Sequence, residues 1–213
     1  MSLTEQLDKM REGAKTRTPA NIRATMAKAV DDLRASGIAE RSLGEGEQIP
    51  AFALPNAHGE TVRSADLLAH GPAVLSFYRG GWCPYCNLEL KALQEALPEI
   101  SGLGASLVAI SPELPDKAMT TTEKHGLGFE VLSDRGNQVA RAFGLVFTLA
   151  EELRPVYEAF GIDVPAYNGD ETFELPIPAT FVVDRDGTVR RAFVDPDYTR
   201  RLDPADVIAA LAA

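Results

Sequence analysis

Tyr78-Arg79-Gly80-Gly81-Trp82-Cys83-Pro84-Tyr85-Cys86-Asn87-Leu88-Glu89-Leu90 is the stretch that decides the fold of this chain, and it holds the only two cysteines. An apolar run of strand type, Ala73 to Tyr78, leads into it, and a helical pattern follows from about Cys83 to Ala96. Strand, small-residue turn, dithiol and helix start make the context in which a Cys-x-x-Cys pair reads as a redox motif. The thiolate is the reactive form, so something must stabilise an anion that a free thiol forms only in small amount near pH 7. A helix N-terminus does this with unpaired backbone N–H groups and the positive end of its dipole. Pro84 fits a first-turn position, where no donor is needed. Arg79 stands four residues before Cys83, where it could add positive charge or act as an ordinary solvated or paired cation. Trp82 and Tyr85 flank the pair with amphipathic rings that could shape a docking face or simply cover the helix start. At this spacing one sulfur can attack a substrate and the other resolve the product as a Cys83–Cys86 disulfide.

Three plainer readings compete with redox chemistry. A permanent disulfide closing so short a loop would add little stability. A zinc site needs four ligands, yet there is no second cysteine pair, and His58, His70 and His125 are scattered singly. Two inert core cysteines would leave the Gly80-Gly81-Trp82 approach and the intervening Pro84 unexplained. No metal or cofactor is expected.

Working outward, strands and helices alternate. Strand Ser106–Ser111, helix Asp116–His125, strand Glu130–Leu132 and a helix from about Asn137 to Phe143 follow the dithiol helix. Such alternation predicts an α/β sheet whose parallel members are joined by helical crossovers. Ala179–Val183 and Val189–Val194 flank Asp184-Arg185-Asp186-Gly187, an antiparallel hairpin, and a last helix starts at Asp203-Pro204. The order is that of a thioredoxin-like core. Ahead of it, Phe52–Leu54 and Thr61–Arg63 suggest a small hairpin, with Ser64 capping a short helix over Ala65–Ala69.

Residues 1–42 read as a helical N-terminal arm and residues 43–213 as the thioredoxin-like domain. The arm places Leu3, Leu7 and Met10, then Ile22, Met26, Ala29, Val30 and Leu33, at helical spacing. Thr18-Pro19 is a start signal and Ser36-Gly37 a stop. The stripe could be covered by its own domain or by a second subunit, so a homodimer is one expectation. Gly44–Gln48 reads as a linker. Residues 148–178 are longer than a simple connection. Leu149–Phe160 should be helical, with Pro155 either kinking the helix or starting a second segment, and Gly161–Pro178 should be a surface excursion able to cover the dithiol or meet a partner.

The net charge of −10 over 213 residues opposes binding to nucleic acid or to an anionic membrane surface. No apolar stretch approaches the roughly 18 residues of a membrane span, and the first 30 residues carry no signal-peptide core. A cytoplasmic protein is expected, where close thiols are catalytic more often than crosslinked.

Phe77-Tyr78-Arg79-Gly80-Gly81-Trp82-Cys83-Pro84-Tyr85-Cys86, then Pro176-Ile177-Pro178-Ala179-Thr180-Phe181-Val182-Val183-Asp184 and Asp186-Gly187, resemble the peroxiredoxin superfamily of alkyl hydroperoxide reductase and thiol-specific antioxidant proteins. The likeness runs from about Leu43 to the C-terminus. That family carries Pro-x-x-x-Thr-x-x-Cys, whose cysteine attacks peroxide, whose threonine hydroxyl bonds to it, and whose thiolate a distant arginine supports. The resemblance sets Cys86 on the attacking cysteine, Cys83 on the threonine and Arg79 on the proline. Where the arginine belongs, just before Ala179, stands Pro178, which resembles the cis-proline that thioredoxins place beside their dithiol.

The resemblance therefore implies a thiol-dependent peroxidase. In it Cys86 attacks a hydroperoxide, Cys83 condenses with the sulfenic acid, and an external thiol such as thioredoxin reopens the disulfide. A thioredoxin-like reductase of protein or small-molecule disulfides, with Cys83 attacking first, is the alternative, and a non-catalytic redox sensor the third reading.

Overall fold

The computed structural model describes residues 1–213. Its centre is a five-stranded sheet built from Ala73–Phe77 (β3), Ser106–Ser111 (β4), Glu130–Ser133 (β5), Ala179–Val183 (β8) and Val189–Val194 (β9), in the spatial order β5-β4-β3-β8-β9. β3, β4 and β5 run parallel, whereas β8 lies antiparallel to both β3 and β9. Every residue of β3 and β8 is buried, as expected of strands covered on both faces. Their side chains alternate between layers: Ala73, Leu75 and Phe77 meet Ala179, Phe181 and Val183 on one face, and Val74 and Val182 meet the helices on the other.

Pro84–Gly102 (α5) makes the crossover from β3 to β4, and Pro115–His125 (α6) that from β4 to β5. α5 outruns its expected end and continues through Pro98. Gln138–Ala142 (α7) and Pro204–Ala212 (α10) complete the flanking helices, α10 packing on α5. The small hairpin forms from Ala53–Pro55 (β1) and Thr61–Arg63 (β2), followed by Ser64–His70 (α4). Ser64 lies inside α4 rather than capping it; its hydroxyl accepts from the Phe52 amide and ties the helix to the hairpin. The expected linker is pinned in place, Gly46 donating to the Val189 carbonyl and Gln48 bridging to Thr188.

Leu3–Arg17 (α1) and Ala20–Ala35 (α2) form the arm, followed by Ile38–Arg41 (α3). Thr18 ends α1, and Pro19 occupies the cap position of α2. Leu3 and Leu7 are 2% exposed and sit in the same cluster as Tyr78, Cys83 and Cys86. Burying two such leucines contributes about 1.5–3 kcal/mol each. Thr4 adds backbone and hydroxyl bonds to Asp203, both 3.2 Å. The arm's first stripe is therefore covered by its own chain.

Residues 148–178 are more ordered than the sequence suggests. Val146–Thr148 (β6) pairs antiparallel with Glu174–Pro176 (β7), closing a loop that contains a 3-10 turn at Glu151–Leu153, a helix at Arg154–Ala159 (α8) and another at Val164–Asn168 (α9). Pro155 falls in the first turn of α8, so it starts a segment instead of kinking one. The expected surface excursion buries Val164, Leu175 and Ile177, and the cluster it builds receives Met26 and Ala29 from α2 and Trp82 from the dithiol turn.

Candidate active site

The site lies at the C-terminal end of β3, where its two neighbours are reached in opposite directions and a crevice opens. Close packing explains the two glycines. A side chain at Gly80, whose φ is 150°, would meet the Trp82 indole nitrogen at 2.3 Å, and one at Gly81 would meet the Thr121 hydroxyl at 2.2 Å. Cys83 is the N-cap of α5 with extended backbone, Pro84 opens the helix, and Cys86 occupies its first turn. Both sulfurs thus face the positive end of a 19-residue helix. The cysteines approach each other to 2.9 Å, are free thiols, and are fully buried.

Each sulfur has its own arginine. Arg79 donates from Nη2 to Cys83 Sγ at 3.2 Å, and Arg201 donates from Nη2 to Cys86 Sγ at 3.0 Å. The two cations differ in their counter-charge. Arg201 is paired with buried Glu89, whose other oxygen accepts from the Thr180 hydroxyl at 3.2 Å, and its Nη1 reaches the carbonyls of Tyr198 and Arg200 at 2.7 Å. Arg79, only 3% exposed, has no carboxylate partner. It donates to the Tyr157 hydroxyl at 2.7 Å and stacks on the rings of Tyr198 and Trp82, 4.1 and 5.0 Å from their centroids.

This asymmetry divides the protons. Burial pushes the Cys83 thiol up, but a hydrogen bond from Cys86 and the charges of Arg79 and Arg201 outweigh it and hold Cys83 well below the usual thiol range. Cys86 moves well above that range, through burial and through the hydrogen bond and charge of Cys83. The arrangement favours the anion on Cys83, beside the buried Arg79 that has no carboxylate, and leaves Cys86 the harder thiol to ionise.

Behind the turn sits Glu113, fully buried, accepting from the Gly81 amide at 2.9 Å and from the Tyr78 hydroxyl at 3.4 Å. Burial raises its pKa to about 7 despite these donors. A carboxyl whose folded pKa is raised favours folding fully below its unfolded value near 4.3, and this advantage is lost as pH rises through about 7. Glu113→Gln keeps both hydrogen-bonding partners without the charge. Between pH 5 and pH 8 the variant should gain on the parent by on the order of 2–3 kcal/mol in denaturant unfolding. Equal slopes for the two proteins would show that Glu113 is not a buried acid.

All of the sequence-predicted residues meet here, with one correction. Pro178 does reach the same end of the sheet, because Ala179 is in register with Phe77, and it lines a small cavity with Arg79, Tyr157 and Tyr198. Its peptide bond is trans, however, so the likeness to a thioredoxin cis-proline does not hold. The arginine absent before Ala179 is supplied instead by Arg201, from the loop ahead of α10. In the region of the missing threonine hydroxyl, Arg79 Nε and Trp82 Nε1 are buried donors without a protein acceptor. Sequence reasoning missed Glu89, Glu113, Tyr157, Tyr198 and Arg201. Glu89, a charge among apolar residues three positions after Cys86 and so on the same helix face, was the one visible signal.

Residues 46–192 match the AhpC/TSA family. A Mycobacterium tuberculosis (strain H37Rv) protein that carries the peroxiredoxin name is 31% identical over 147 residues, covering 69% of this chain and 82% of the relative. Peroxiredoxin Bcp of Escherichia coli K12 is 29% identical over 154 residues, 72% of this chain and 86% of its own. Among solved structures, peroxidoxin BcpB from Mycobacterium tuberculosis superposes with a TM-score of 0.63 at 25% identity, covering 80% of this chain and 97% of that one. The chain belongs to the AhpC/TSA family and is a thiol-dependent peroxidase of the peroxiredoxin class.

Proposed function

We propose that the protein reduces hydroperoxides through a Cys83–Cys86 dithiol–disulfide cycle in which Cys83 is the first nucleophile. The observation that carries this reading is Arg79, a buried cation with no carboxylate, 3.2 Å from the Cys83 sulfur. The Cys83 thiolate attacks the terminal peroxide oxygen, the O–O bond breaks, and the alcohol leaves after taking up a proton. The Cys83 sulfenic acid forms in that step. Cys86 then attacks the Cys83 sulfur, water departs, and the disulfide closes across a gap already only 2.9 Å wide. An external dithiol reductant of thioredoxin type returns both thiols. Arg79 Nε and Trp82 Nε1 are suited to receive the peroxide oxygens, the task that a threonine hydroxyl has in the family pattern.

Arg201 at 3.0 Å from Cys86 favours a second order of events, in which Cys86 attacks as the family alignment has it. The test separates the two. Each single Cys→Ser variant is exposed to one equivalent of hydroperoxide and then to a sulfenic-acid trap, followed by peptide mass analysis. Rapid trapping on Cys83 in Cys86→Ser, with slow trapping on Cys86 in Cys83→Ser, supports the proposal; the reverse pattern overturns it. Insulin-disulfide reduction without peroxide turnover would favour a disulfide reductase instead.

No helix is long and apolar enough to cross a membrane. The reading places the protein in the cytoplasm, where a thiol cycle of this kind stays reducible. It needs no second subunit, since both sulfurs and both arginines come from one chain.

A further inference from the structure

Arg79, Glu89, Glu113, Asp134 and Arg201 are the buried charged side chains of the chain, and all but one have an evident counterpart. Arg201 meets Glu89, Arg79 meets the Cys83 sulfur, and Asp134 accepts from the amides of Val139 and Ala140 in the first turn of α7. Glu113 is the exception. It has no cation, and its carboxyl accepts only from neutral donors, the Gly81 amide at 2.9 Å, the Tyr78 hydroxyl at 3.4 Å and the Ser111 hydroxyl.

This carboxyl is fixed against the dithiol turn. Its backbone amide donates to Ser111 Oγ at 3.4 Å, and its carbonyl accepts from the Ser133 hydroxyl, so the ends of β4 and β5 hold it from both sides. A side chain at Gly80 would come within 3.0 Å of Glu113 Oε1, and Gly81, which the carboxyl binds, stands two residues before Cys83. Tyr78, its other partner, packs in the same cluster as both cysteines. The titratable groups around Glu113 are Tyr78 from the end of β3 and Cys83 from the head of α5, whereas Ser111 and Ser133 from β4 and β5 do not titrate. Lys117, the cation nearest in sequence on α6, turns to Asp116 and to the Tyr167 ring.

We infer that Glu113 is the proton reserve of the dithiol, holding a proton while Cys83 is a thiolate and giving it up as the disulfide forms. Burial raises this carboxyl most, its donors lower it, and the negative charge of Cys83 raises it again. Oxidation cancels only the last of these, so the acid ionises more readily in the disulfide state. The proton balance of the reaction has a place for it. A Cys83 thiolate, a Cys86 thiol and a hydroperoxide give the disulfide, an alcohol and hydroxide, the two sulfurs losing the electron pair that breaks the O–O bond. The hydroxide needs one proton to become water, and Glu113 passing from carboxylic acid to carboxylate offsets it. A dithiol reductant brings two protons, one for Cys86 and one for Glu113. Because it reaches the sulfurs only through the Gly81 turn and Tyr78, Glu113 is a positioning residue. The hydroperoxide in this balance rests on the peroxidase reading above. The charge coupling does not, since diamide closes the same disulfide and needs the same proton.

The test counts protons. Reduced protein is mixed with one equivalent of hydroperoxide, and separately of diamide, in weakly buffered solution with a pH indicator, and the protons drawn from solvent are divided by the disulfides formed. Glu113→Gln should draw about one at both pH 6.5 and pH 9. The parent should draw about one at pH 9, where Glu113 is ionised in both states, but only about half at pH 6.5 if the Cys83 charge moves the acid by about one pH unit. The infrared difference between oxidised and reduced parent at pH 6.5 should also show the loss of a protonated carboxyl band, absent in Glu113→Gln; this and the parent's own pH series decide the matter even if the variant folds poorly. A full proton drawn by the parent at pH 6.5, or no carboxyl band, overturns the inference. A shortfall with diamide in a protein inert to hydroperoxide would overturn the peroxidase reading and leave the proton reserve standing. Hydroperoxide turnover with equal proton counts in parent and variant would do the converse.

Discussion

Glu89→Ala is expected to destabilise the protein by about 3–5 kcal/mol, because it strands the Arg201 charge in the interior. The pair is buried on both sides, and removing one partner leaves an ion with no solvent to screen it. In a chain of this length that loss should lower the melting midpoint by roughly 6–20 °C. Replacing both residues, Glu89→Met with Arg201→Met, removes the ion pair without stranding either charge and should recover most of the stability. The carboxylate also works through the arginine: Glu89 and the two sulfurs outweigh burial and keep Arg201 fully charged. Without Glu89, the Arg201 charge is left to the two sulfurs, and the Cys86 thiol it contacts should become easier to ionise. A Glu89→Ala protein that melts within a degree or two of the parent would mean that the pair is not buried as described.

Arg79→Met should slow the reaction of Cys83 with hydroperoxide at pH 7 by about tenfold to a hundredfold. The methionine keeps the apolar stem beside Trp82 and Tyr198 but removes the one uncompensated cation that holds the Cys83 thiol below its usual range. What remains is a buried thiol supported only by the Cys86 hydrogen bond and the charge of Arg201, so less of it is thiolate at neutrality. The sign follows. In the parent the rate should vary little with pH around neutrality, whereas in Arg79→Met it should climb about tenfold per pH unit while the pH stays below the thiol pKa. Stability moves consistently: the depressed Cys83 pKa stabilises the fold above the unfolded thiol value near 8.5, and that contribution fades as pH falls through the folded pKa. It should be smaller in Arg79→Met. Single-turnover peroxide consumption across pH 6 to 9 is the measurement. A variant with the parent's flat profile would transfer the role to Arg201 and with it the first attack to Cys86.

These two residues mark where sequence reading stopped. Arg79 was visible, since it stands in the motif, but its burial was not: a guanidinium four residues before a helix cap is ordinarily solvated, and only Tyr157 from the excursion and Tyr198 from the loop before α10 enclose it. Arg201 lies 115 positions from Cys86 and next to Arg200, whose guanidinium meets Asp195 at an exposed site, so nothing local distinguishes the buried arginine from the exposed one. The β6–β7 pairing was missed for a related reason. Each strand is three residues long, too short for a period to register, and each is held by a partner nearly thirty residues away.

What the sequence by itself determined is the strand–turn–dithiol–helix unit, the α/β alternation around it and the amphipathic arm. Those rest on interactions within a few residues: apolar periodicity, proline at a helix start, glycine where the backbone passes close to a side chain. The tertiary structure alone decided that each sulfur has a different arginine, that one of those arginines is neutralised by Glu89 and the other is not, and that Glu113 closes on the dithiol turn with neutral donors only. Which thiol ionises depends on charges assembled from segments distant in sequence in a shared low-dielectric interior, and no local pattern records their distances.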